Sequence, residues 1–232
     1  MKRERDSMVG YSLLFLLETI AVVWMASGIR FSSGPSVLSA NRLEMLRYFT
    51  VDSNILMGIV AAAAAWENLQ VLQGKKKQVP GVCYYWNLAA TTGVALTFLV
   101  TVGFLAPQYG NTWYRLFMDS NFLMHLVAPV TAILLFVFAE RHRMKCFPTT
   151  LSGLVPMAVY AVYYCVNAVF HTENGIVPKS ADWYGFLRSG SLKAGPVLIL
   201  IFIAGTWLIS FVLWSLQQKR QRNRNKKSGR TQ

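Results

Sequence analysis

Six stretches of about 20 apolar residues, each long enough to cross a ~30 Å hydrocarbon core, punctuate this chain. They run Met8–Ile29, Tyr48–Leu72, Cys83–Ala106, Asn121–Ala139, Phe147–Phe170 and Ala194–Leu216. A water-soluble helical protein buries one or two such stretches, not six. Apolar residues make up 54% of the chain and charged residues 14%, where a soluble domain carries roughly a quarter charged. The predicted fold class is therefore all-α, a polytopic membrane bundle of six transmembrane helices over residues 1–216. Residues 217–232 read as a basic, disordered tail, because they are rich in Lys, Arg, Gln and Asn without apolar periodicity.

The loops predict orientation. Lys2, Arg3 and Arg5 precede the first span, Lys75 to Lys77 follow the second, and Arg141, Arg143 and Lys145 follow the fourth. Lys219, Arg220, Arg222, Arg224, Lys226, Lys227 and Arg230 follow the sixth. These are 16 of the 23 basic residues, all on one side. Such a bias marks the cytoplasmic side, so both termini are expected in the cytoplasm of a plasma-membrane protein. The net charge of +13 then serves topology and contact with anionic lipid, and no nucleic-acid partner is expected. The first apolar stretch exceeds the 7–15 residues usual for a cleavable signal, so it is expected to stay as a span. Cys83, Cys146 and Cys165 form neither a disulfide framework nor a metal-ligand spacing, and no metal or cofactor is expected.

One hexapeptide recurs. Asp52-Ser53-Asn54-Ile55-Leu56-Met57 opens the second span and Asp119-Ser120-Asn121-Phe122-Leu123-Met124 opens the fourth. Asp, Ser and Asn cap helix starts, and a carboxylate there complements the positive helix end. Capping explains each copy but not the likeness, so a paired site or a duplicated hairpin stays open.

Strongly polar side chains inside a bilayer are costly and often serve function. Glu18 sits mid-span with no basic residue near it in sequence, so it carries a proton or pairs with another helix. Thr50, Ser53 and Asn54 fall within little more than one turn. Asn87, Thr91, Thr97 and Thr101 are scattered along the third span, where bonding to their own backbone is the simpler expectation. Asn121 and His125 are four residues apart on one helix face, with Pro129 four further on. His125 is either a structural histidine or a general base, since an ordinary imidazole titrates at about 6.5. Tyr160, Tyr164, Asn167 and His171 form one helical stripe, expected to line a polar pocket. The Thr172–Lys193 segment carries turn signals at Asn174-Gly175 and Val177-Pro178. Its Trp183, Tyr184 and Phe186 suit either an interfacial belt or a loop folded over the bundle.

Tyr48-Phe49-Thr50 at the second span and Met124-His125 with Pro129 in the fourth resemble an integral-membrane family. It comprises the androgen-induced and androgen-dependent membrane hydrolases and bacterial Pr6Pr-type proteins. The resemblance implies hydrolysis of lipid esters, specifically branched fatty-acid esters of hydroxy fatty acids. It implies a threonine nucleophile at Thr50 and a histidine base at His125, because a hydroxyl needs a neighbouring base to become nucleophilic. Ser53, Asn54, Asn121, Tyr164, Asn167 and His171 are then expected to bind substrate. Membrane lipids are the expected partners, the ester arriving from the outer leaflet. Aligning the two hexapeptides puts His125 level with Gly58, about 12 Å below Thr50 at helical rise, so the spans must be staggered. Ser53 is the reserve nucleophile. Two other readings compete: a carrier using Asp52, Asp119 or Glu18, and a non-catalytic scaffold.

Overall fold

The computed structural model describes residues 2–32, 42–140, 144, 146–185, 187 and 195–228. Six helices are long and apolar enough to cross a membrane: α1 Lys2–Ser27, α2 Phe49–Leu72, α3 Gly81–Gln108, α4 Ser120–Phe138, α5 Phe147–Phe170 and α6 Gly195–Arg224. Among the described residues there is no strand beyond one isolated bridge, Glu173 to Ile176. The bridge closes a turn in which Asn174 and Gly175 take φ of 51° and 79°, which suits that pair of residues. The chain is a multi-pass membrane protein with an all-α bundle.

Each span forms a helix because lipid leaves its backbone no other partner. α1 begins at Lys2, a turn and more before its apolar stretch. α6 continues to Ser228, so the tail expected to be disordered from Gln217 is helical over most of its length. The reason is packing by glutamines. Gln217 is fully buried, Gln218 donates to the Met144 carbonyl at 3.2 Å, and Gln221 donates to the Glu140 carbonyl at 2.9 Å. Arg141, Arg143, Lys145, Phe186, Arg188, Lys193 and Arg230 lie outside the described residues.

α3 is the hub. Its apolar window is 61% buried, against 39% for α4 and 17% for α6, and it touches α2, α4, α5 and α6. Small side chains let it sit there: Ala89, Ala90, Gly93 and Ala95 are buried along its length, as interhelical packing in lipid favours. An added Cβ at Gly93 would lie 3.2 Å from the Ser53 Cβ of α2. At Gly153, in the second turn of α5, an added Cβ would run into Ser210 of α6 and Thr92 of α3.

Two of the six helices widen locally. α3 contains a π turn at Thr101–Leu105 and α4 another at Leu123–Val127. In each, an N–H reaches five residues back, from Ala106 to Thr101 and from Ala128 to Leu123. Both are followed at the same interval by a proline, Pro107 and Pro129. A proline has no N–H, and its ring clashes with the carbonyl four residues earlier, here Gly103 and His125. Widening the preceding turn relieves that clash and re-forms a bond one residue away.

Candidate active site

One group of buried polar residues lies among two apolar clusters toward the end of the bundle away from the termini. One cluster holds Leu14, Met57, Val94 and Ala128, the other Ala21, Val51 and Met124. Among them lie Glu18, Ser53, Asn54, Thr97, Thr101 and His125, all under 5% exposed.

His125 sits in the middle of the α4 π turn and is 3% exposed. Its Nδ1 lies 2.9 Å from the Thr101 hydroxyl, at the first residue of the α3 π turn. Thr101 also donates to the Thr97 carbonyl at 2.9 Å. Thr97 Oγ1 lies 3.3 Å from Ser53 Oγ, which continues the polar contacts into α2. Thr101 is therefore more than the back-bonded hydroxyl expected from the sequence. The signal available for it was the proline that follows each π turn.

Thr50 occupies the first turn of α2 and is half-buried. Its hydroxyl makes no hydrogen bond within the described residues, and His125 meets Thr101 rather than Thr50 through Nδ1. The two turns are nonetheless neighbours. Asn54 Nδ2 lies 2.6 Å from the Thr50 carbonyl and 3.5 Å from the Met124 carbonyl. Those two oxygens are thus no further apart than the two contacts laid end to end. Asn54 faces the α4 backbone just before His125, three residues on from the level that aligning the hexapeptides implies. At helical rise that stagger closes about 4.5 Å of the offset of about 12 Å and leaves His125 about 7.5 Å below Thr50 along the axis.

The two hexapeptides do different work, and neither carboxylate caps its helix. α2 starts earlier, after Tyr48, so Asp52 lies inside its first turn. The Phe49 N–H donates to the Tyr184 hydroxyl at 2.9 Å instead. Asp119 precedes α4 at φ 54° and reaches away from it. Its carboxylate accepts the Phe31 and Ser32 N–H groups at 2.8 and 3.1 Å and bonds the Ser32 hydroxyl, clasping the segment after α1. That hydroxyl, helped by the two amides, holds the Asp119 carboxyl below its ordinary range. Asn121 is buried near the start of α4.

The α5 stripe does not line an open pocket. It seats residues 172–185, which fold back over the bundle. Tyr160 donates to the Arg47 carbonyl at 2.5 Å and accepts the Trp183 indole N–H at 3.0 Å. Tyr164 bonds Asp182, and Asn167 donates to the Ala181 carbonyl at 3.1 Å. His171 is exposed, its Nδ1 2.8 Å from the Asn167 carbonyl at the helix end. Tyr48, Tyr160, Tyr164, Trp183 and Tyr184 pack together above the α2 start, Tyr160 and Tyr164 stacked and the other contacts edge-on or tilted. Burial in this cluster pushes the Tyr184 phenol up from its ordinary value.

Two acceptor groups among these buried polar residues are unsatisfied. Both Glu18 carboxyl oxygens and Asn54 Oδ1 are buried without a hydrogen-bond partner among the described residues. Gly58 makes room for Glu18, since an added Cβ there would lie 3.2 Å from the Glu18 Cβ. No three His, Cys, Asp or Glu side chains come together among the described residues. No family model, curated protein or solved structure matches the chain.

Proposed function

We propose that this protein is an intramembrane hydrolase of lipid esters, with Thr50 as nucleophile and His125 as base. The observation that carries this reading is the Asn54 amide, which draws the Thr50 turn of α2 against the α4 turn holding His125. The burial of His125 and the uncommitted, half-buried hydroxyl of Thr50 support it, since a nucleophile must be both unspent and reachable. Of the residues expected to bind substrate, Ser53, Asn54 and Asn121 stay close to this region, whereas Tyr164, Asn167 and His171 act through the folded-back segment.

In the proposed reaction His125 takes the Thr50 proton as the hydroxyl oxygen attacks the ester carbonyl. The alcohol leaves with that proton, and an acyl-threonine forms. Water, deprotonated by the same imidazole, then releases the fatty acid and restores Thr50. The bias of basic residues to the ends of α1, α2 and α6 supports an orientation with both termini in the cytoplasm of a plasma-membrane protein. The site then opens toward the outer leaflet, where a lipid ester enters sideways. Purified protein in nanodiscs should hydrolyse a fatty-acid ester of a hydroxy fatty acid. Thr50→Ala and His125→Ala should each lower the rate by about 10²–10⁴-fold. Equal rates in all three proteins exclude the assignment.

One observation favours a second reading, a small-molecule or ion carrier: the Glu18 carboxyl, buried mid-span without a partner among the described residues. Uptake into reconstituted vesicles that disappears in Glu18→Gln supports it. Uptake indifferent to Glu18 removes it.

A further inference from the structure

The bond between His125 and Thr101 fixes more than a distance. Thr101 has one hydroxyl proton and two partners, the Thr97 carbonyl at 2.9 Å and His125 Nδ1 at 2.9 Å. A carbonyl oxygen only accepts, so the hydroxyl proton goes to Thr97. The bond to His125 is then made by a proton on Nδ1, donated to Thr101 Oγ1. The opposite assignment leaves lone pairs of the Thr97 carbonyl and the Thr101 oxygen facing each other at 2.9 Å in a site 1% exposed. That carbonyl also accepts the Thr101 N–H, so the cost is the repulsion, which is poorly screened there. In the neutral ring, a proton on Nδ1 leaves the Nε2 lone pair bare.

We propose that Thr101 is a positioning residue that sets the tautomer and ring orientation of His125, so that Nε2 is the basic atom of the site. The proposal rests on the hydrolase reading for its consequence, though not for its geometry. Nucleophile, base and orienting group recur as a set in acyl-transfer sites, the third group holding the nitrogen that does not take the proton. Here a threonine backed by a main-chain carbonyl fills that place. Thr101 is unsuited to be the nucleophile itself, because it is sealed from solvent and its proton is spent on Thr97. The π turns add a second reason. Thr101 opens one and His125 centres the other, so both residues stand on backbone displaced from regular helix where the two spans face each other.

The test is imidazole ¹⁵N NMR on the full chain in nanodiscs, with the His125 signals identified by their loss in His125→Gln. The wild type should show the proton on Nδ1. Thr101→Val, which keeps the shape and removes the hydroxyl, should lose that preference, and Thr101→Ser should restore it. Labelling by a lipid fluorophosphonate should fall about 10²-fold in Thr101→Val and recover in Thr101→Ser. A wild-type proton on Nε2 overturns the proposal even if no variant folds. Full labelling in Thr101→Val, with none in Thr50→Ala, overturns the positioning role and leaves the hydrolase reading standing. Wild-type labelling undiminished in Thr50→Ala removes that reading instead, while the NMR result still decides the tautomer.

Discussion

Asn54 shows how one side chain sets the site. Its amide nitrogen is divided between its own helix and the α4 backbone, while its carbonyl oxygen is buried without a partner among the described residues. Replacing it therefore removes one unsatisfied acceptor along with two bonds, a short one within α2 and a long one to α4. Asn54→Ala should change stability by no more than about 1 kcal/mol and lower hydrolysis far more than that. Thermal unfolding in detergent and initial rates measure the two effects separately. Asp119 behaves in the opposite way, as a clasp rather than a site residue. Its carboxyl lies below the ordinary value when folded, so its contribution is present above about pH 3.9 and is lost as pH falls through the lowered value. Asp119→Asn should hasten amide exchange at Phe31 and Ser32 at neutral pH. The difference from wild type should shrink on acidification, with little change in activity. These roles were illegible in the repeat itself, because the two hexapeptides begin at different points of their helices.

At the scale of the helix, the spans were readable from composition and only their irregularities were not. Apolar length fixes where a helix crosses, and five of the six expected starts fall within two residues of the observed ones. α1 is the exception, because charged residues before Met8 continue the same helix. A π turn leaves no periodic trace, since it inserts a single residue. Pro107 and Pro129 were its visible sign, and their equal spacing from Thr101 and Leu123 couples the two widened turns. Pro129→Ala restores an N–H to α4 and lets the turn at His125 close to regular α-helix. The variant should fold at least as stably as wild type, yet lose about 10²-fold in rate through a small displacement of the imidazole. Unchanged rates with the π turn gone would show that the widening does not position His125.

For the whole molecule, the outcome is a division of labour between the two ends of the bundle. The end bearing the termini is basic and is closed by glutamine contacts from α6 to Met144 and Glu140. The other end holds the polar group beneath a folded segment and its aromatic cluster. By sequence alone that segment suits a belt or a cover equally, because aromatic residues fit both. The Tyr160 and Tyr164 hydrogen bonds make it a cover over the α2 start. In the proposed orientation this end faces the outside of the cell. In a cysteine-free background, a cysteine at Glu173 should react with a membrane-impermeant maleimide on intact cells, and one at Lys219 only after permeabilisation. The reverse pattern would turn the site toward the cytoplasm and the inner leaflet.

The most direct measurement is to map the adduct formed when the wild-type protein in nanodiscs is treated with a lipid fluorophosphonate. Peptide mass spectrometry should place the phosphonyl group on Thr50 and find none in His125→Ala. An adduct on Ser53 would move the nucleophile by one turn of α2. No adduct at all, under conditions that label a known serine hydrolase, would contradict catalysis at this site.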